Sequence, residues 1–219
     1  MKPNALKPVD AMIGLAVVAF AALLAALPLV LERPQFKWAL SEQGPFEQLS
    51  IVGWLFAAAV VLTRVRPPGR TGSAFALLFV VFAAREADWH KAFTADSILK
   101  TNYYRHSLAP IHEKIAAGAV GMAVIGLIVY VGFLIFRFLL LRGGLRTRAG
   151  FWLLLTSVLM VLGKILDRTQ ATLAESFDVL LLPLAQLYVQ AFDDGLEMAD
   201  TLLMAWAVWL GKADGLFDQ

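Results

Sequence analysis

Two apolar runs are too long for the core of a small soluble domain. "AMIGLAVVAFAALLAALPLVL" (11–31) contains no charge, and "IAAGAVGMAVIGLIVYVGFLIFRFLLL" (115–141) contains only Arg137. A helix needs about 20 mostly apolar residues to cross the hydrocarbon core of a bilayer. Six stretches meet or approach that length, which predicts spans at about 11–31, 47–63, 73–90, 113–141, 150–167 and 194–211. The second, third and sixth reach it only if Glu47, Glu86 and Glu197 ride on helix. Composition agrees: 59% of residues are hydrophobic and 16% charged, against about 45–50% and about 25% in soluble domains. The expected fold class is all-α, a polytopic membrane protein built as one six-transmembrane-helix bundle with structured extracytoplasmic loops. The first run exceeds the roughly 7–15 residues of a secretory apolar region, so it reads as a retained span. "VLLLPLAQLYVQ" (179–190) is short and contains Pro183, which suggests an interfacial or re-entrant piece.

Charge sets the orientation. "RVRPPGR" (64–70) and "RGGLRTR" (142–148) each carry three Arg and no acid. Loops rich in Lys and Arg stay cytoplasmic. Lys2, Lys7 and Lys212 fall on the same side, so both termini are expected in the cytoplasm of a bacterial inner (plasma) membrane. Of the 17 acids, only Asp10, Asp214 and Asp218 share that side. The outer loops (32–46, 91–112 and 167–199) are long, as functional loops often are, and are expected to fold over the bundle as a cap. Trp54, Trp89, Trp152, Trp206 and Trp209 read as interfacial anchors. Gly118, Gly121 and Gly126 read as points of close helix packing. The absence of cysteine excludes disulfides, thiolate metal sites and cysteine nucleophiles. A net charge of +2, with its bases in short loops, gives no nucleic-acid footprint; the expected partner is membrane lipid.

The outer helix ends gather the polar residues. "READWHK" (85–91) closes the third span with Arg85, Glu86, Asp88 and His90. Glu47 opens the second, with Ser50 three residues on. His112 and Glu113 open the fourth, and His106 precedes them in "YYRHSLAP". Lys164, Asp167 and Arg168 close the fifth with spacing suited to a local ion pair. Asp193, Asp194 and Glu197 open the sixth. Glu86 and His90, four apart, would share one helix face. Ionisable groups within a span cost about 2.5–3.5 kcal/mol each on insertion scales and normally face the bundle interior. Their common depth predicts one shared polar cavity.

Three functions fit such a cavity. Imidazole and carboxylate suit zinc, iron or manganese, and a divalent metal with an open position activates water; Glu86, His90, His106, His112 and Glu113 are the candidate ligands. Ser50, Asp88 and His90 loosely resemble the Ser, Asp and His that membrane-embedded zinc hydrolases of lipid amides place near one face. The paired histidines those enzymes carry on their last helix have no counterpart here. Chains of carboxylate and histidine also relay protons or cations, although the inner halves offer little beyond Arg137, Thr63, Thr156 and Ser157 to line a route. Finally, acids in first turns and bases in last turns stabilise helices by about 0.3–1 kcal/mol each, which explains isolated charges in a non-catalytic subunit. The reading favoured by the cluster is a membrane enzyme, a hydrolase or transferase on a lipid or membrane-associated substrate. Asp88 or Glu47 is then the expected general base, and Arg85 or Arg168 holds an anionic group. A proton- or cation-coupled transporter or channel is the alternative.

Overall fold

A computed structural model describes residues 7–41, 43–89, 101–106, 109–177 and 181–218. Every regular element among them is helical. In chain order these are α1 (Pro8–Val30), α2 (Arg33–Ala39), α3 (Pro45–Arg64), α4 (Gly69–Glu86), α5 (Thr101–His106), α6 (Ile111–Phe136), α7 (Arg148–Phe177) and α8 (Pro183–Asp214). A π-helical turn (Arg137–Leu141) and a 3₁₀ turn (Gly144–Arg146) lead from α6 to α7.

Local chemistry sets the ends. Proline opens α1, α3 and α8 within their first turn, where its missing N–H would have had no partner in any case. Gly215, at φ 82°, closes α8 in the left-handed conformation that glycine adopts without steric cost.

α8 lies at the centre. It packs on α7, α3 and α1, while α3 carries α4, and α4 carries α6. Small residues allow the closest approaches: a Cβ on Gly53 of α3 would collide with Thr201 of α8, and one on Gly195 of α8 with Leu24 of α1. The core between these helices holds Trp54, Phe75, Phe79, Trp152, Leu153 and Val208, all 4% exposed or less. Gly118, Gly121 and Gly126 do not serve as expected: nothing lies near a Cβ at the last two, and only the Tyr104 ring approaches the first.

Four segments are long and apolar enough to cross a membrane: α1, α3, α6 with its π turn (Ile111–Leu141), and Arg148–Thr169 of α7. Their outer faces are apolar too. Met12, Leu15 and Leu29 on α1, and Ile115, Met122 and Val129 on α6, are each about two-thirds exposed. An apolar surface this extensive needs a cover. α4 and α8 do not meet the same measure. α4 carries Arg70, Arg85 and Glu86 in 18 residues, and α8 carries Asp193, Asp194, Glu197 and Asp200 within eight residues.

The loop expected at 167–199 is far shorter than the sequence suggests. α7 runs on to Phe177 and α8 starts at Pro183, so only residues 178–182 connect them. Pro183 starts a helix instead of breaking one, and the interfacial piece expected at 179–190 is, from 183 onward, the first turns of α8. The first outer loop does fold: α2 sets Phe36 and Leu40 against Ala191 of α8, with Leu27, Leu31, Phe46 and Leu187 around them. Two of the supposed interfacial anchors are core residues. Trp54 and Trp152 are 4% and 2% exposed.

The two basic loops lie at one end of the bundle, each tied to neighbouring elements. The buried Asp10 carboxylate accepts from Arg148 Nε (2.6 Å) and another Arg148 guanidinium nitrogen (2.9 Å), from Trp152 Nε1 (3.0 Å) and from the Lys7 amide (2.8 Å). Asp214 accepts from the Ala149 amide (2.8 Å) in the first turn of α7. Arg142 donates to the Asp218 carbonyl, and the Arg64 guanidinium lies 4.4 Å above the Trp209 ring. Breaking a buried pair on one side leaves the other charge stranded, at about 3–5 kcal/mol. Asp10→Ala is therefore expected to destabilise the protein by about 3 kcal/mol, measured by denaturant unfolding in detergent micelles. Lys7→Ala, which keeps the amide donor, should change stability by less than about 0.5 kcal/mol.

Candidate functional site

At the opposite end of the bundle, α4 and α7 form the two sides of a cleft of about 720 Å³, backed by α8 and Trp54 of α3. A charged collar crosses it. Glu197 of α8 accepts from Lys164 of α7, and Arg85 of α4 stands 3.6 Å from the same oxygen. Arg85 also holds Glu86 at 3.0 Å. One carboxylate thus joins cations from both sides. Below the collar the walls are apolar and aromatic: Phe82 of α4, Met160 and Val161 of α7, and Trp54, whose ring meets Phe82 edge-on at 4.9 Å. Asp200, one helical turn inward from Glu197, lines the same cleft and is 3% exposed.

The convergence expected from the sequence is present in part. Glu47, Glu86, Asp193, Asp194 and Glu197 lie within electrostatic reach of one another. Ser50 is buried beside them on α3, at 2% exposure. The cleft itself is lined by Arg85, Glu86, Lys164, Arg168, Glu197 and Asp200, whereas Glu47 and Asp88 do not line it. Lys164 turns to Glu197 across the helix interface instead of to Asp167 on its own helix. Asp167 is left with Arg168, 3.9 Å away and largely exposed. Across an interface both partners shed water, whereas an i,i+3 pair on an exposed face gains only about 0.2–0.5 kcal/mol.

α4 ends at Glu86, and Asp88 takes φ 55°, a left-handed turn that Asp tolerates better than most residues. His90 itself lies outside the described residues, as does the side chain of His106. His112 and Glu113 form a separate corner with α5. Glu113 accepts from the hydroxyl of the buried Tyr103 at 2.8 Å, and His112 is exposed. Among the described residues no three His, Asp or Glu side chains are disposed to hold a metal ion.

Asp200 sits well inside an apolar segment, where the residue pattern reads as span and not as a helix end. Its spacing of three from Glu197, on the face that also bears Asp193 and Asp194, was the available signal.

Comparisons with family models, with curated proteins and with solved structures return no match.

Burial, and then the bond to Glu113, push the Tyr103 hydroxyl up to about 12, because both favour the neutral phenol. A raised folded-state value means that this stabilisation is complete below the unfolded tyrosine value near 10 and is lost as pH rises through about 12. An ultraviolet titration of the phenolate band should therefore show one of the four tyrosines ionising last. In Tyr103→Phe that late step should be absent, and in Glu113→Gln it should move toward 10.

Proposed function

We propose that the chain is a six-span protein of the bacterial inner membrane with both termini cytoplasmic. We propose further that its cleft is the site of a hydrolase or transferase acting on a lipid or another membrane-associated substrate. α4 and α8 complete the six spans, their charges satisfied at the collar and not by lipid. The basic loops at the Asp10 end orient that end to the cytoplasm, which leaves the cleft at the extracytoplasmic side.

One observation carries the reading: the Glu86–Arg85–Glu197–Lys164 collar lies over an apolar cleft large enough for part of a lipid. Charge on helices of an apolar bundle is a functional candidate by default. Glu86 replaces Asp88 and Glu47 as the general base, since it lines the cleft and they do not. In a hydrolytic step Glu86 takes a proton from water as the water oxygen bonds to the substrate's electrophilic centre. The leaving group then departs with that proton. Arg85 and Lys164 hold the negative charge that develops meanwhile. A zinc, iron or manganese ion would have to draw its imidazole from His90 or His106, so no step here is routed through one.

A proton- or cation-coupled transporter is the second reading, supported by buried acid oxygens on Asp193, Asp194 and Asp200 that lack a hydrogen-bond partner. One preparation separates the two. Protein reconstituted in liposomes made from bacterial lipid extract is followed by mass spectrometry of the lipids and by a trapped pH dye. The enzyme reading expects a lipid product that accumulates with time and falls at least about 100-fold in Glu86→Gln, as for loss of a general base. Proton flux without lipid turnover would overturn it in favour of transport. Neither signal would leave a non-catalytic subunit.

A further inference from the structure

Asp200 is the one acid of the cleft that the chemistry above does not use, and its surroundings differ from those of the collar. It is 3% exposed, and its Oδ1 is buried without a hydrogen-bond partner. Neither Arg85 nor Lys164 forms an ion pair with it; both are engaged by Glu197. The side chains that line the cleft at its depth are Trp54, Phe82, Met160 and Val161. A buried acceptor left unpaired is destabilising, so the site favours whatever brings a donor to it.

The surrounding acids add to this preference. Glu47, Glu86, Asp193, Asp194, Glu197 and Asp200 gather at this end, while Arg85 and Lys164 are the cations paired into the group. Carboxyl groups outnumber the cations of the cleft lining, Arg85, Lys164 and Arg168, and can take an incoming donor-bearing cation. Aromatic faces beside a carboxylate suit an organic ammonium in particular, because the rings attract the charge and also cover the carbon attached to it. A small hydrated metal ion would gain nothing from Trp54, Phe82 and Met160. The cleft also has an apolar way out. Val161 and Ile165 line it and are 59% and 56% exposed. With α7 as a spanning helix, that edge faces the acyl chains of the bilayer.

We propose that the cleft binds an amphiphile with a primary-amine headgroup. The ammonium donates to Asp200 beneath the collar, beside the Trp54 and Phe82 rings that line the cleft, and the alkyl chain leaves along Met160, Val161 and Ile165. This deepens the proposed lipid chemistry by naming the class of lipid, an amine-bearing one, and it rests on that reading for its place in a reaction.

Binding can be measured without turnover, so the two claims fail separately. Purified full-length protein in detergent is titrated with hexadecylamine, its N-acetyl derivative, hexadecanoate and magnesium chloride, and affinity is read by isothermal titration calorimetry. Hexadecylamine should bind at least tenfold more tightly than the N-acetyl compound and hexadecanoate, and magnesium should not compete with it. Asp200→Asn should remove that preference. Val161→Trp alters an exposed wall position, which leaves folding intact, and should weaken the amine at least tenfold by filling the chain's path. Equal affinity for the acid and the amine would overturn the proposal, as would an Asp200→Asn protein that still folds and still prefers the amine. Amine binding without lipid turnover would remove the enzyme reading and leave this site standing.

Discussion

Charge inside an apolar bundle has to be answered by charge, and the Glu197 carboxylate is where this protein answers it. Glu197 leaves α8 on the face that α4 and α7 both approach, and it takes Arg85 from one and Lys164 from the other. The cleft exists because its two sides are tied to α8 at one height and remain apart below it. Hydrophobic packing alone would favour closing that space, since interiors normally reach crystal-like density.

The other end of the bundle solves the same problem by a different route. Asp10 is saturated by donors from Arg148, Trp152 and the Lys7 amide, so it anchors α1 to α7 and has no capacity left for a ligand. At the cleft end, by contrast, Ser50, Asp193, Asp194 and Asp200 each retain a buried atom with no partner. Saturated polar groups hold a fold, and unsaturated ones mark where something else is meant to arrive. That contrast places the candidate site at the collar even though both ends carry buried acids.

Much of this was legible in the residues. Apolar run length located every long helix, because desolvated backbone leaves a chain few options besides helix. The Arg-rich loops correctly grouped 64–70 with 142–148 at one end. Four things were not legible. Pro183 reads as a breaker but serves as a helix start, a distinction set by what precedes it. Lys164 had an acid three residues away and chose one on another helix, which only packing determines. Asp88 follows α4 in a left-handed turn, a break that the i,i+4 spacing of positions 86 and 90 does not reveal. Asp200 was hidden by its apolar neighbours, whose presence is also what makes it interesting.

The salt bridge between Lys164 and Glu197 can be trapped in the native protein. A water-soluble carbodiimide joins an amine to a carboxylate in contact with it through a new amide bond, with no spacer, and peptide mass spectrometry locates the junction. The account predicts a Lys164–Glu197 amide in protein held in lipid nanodiscs. A junction from Lys164 to Asp167, with none to Glu197, would show that α7 and α8 do not meet at the collar and would contradict the site built on it.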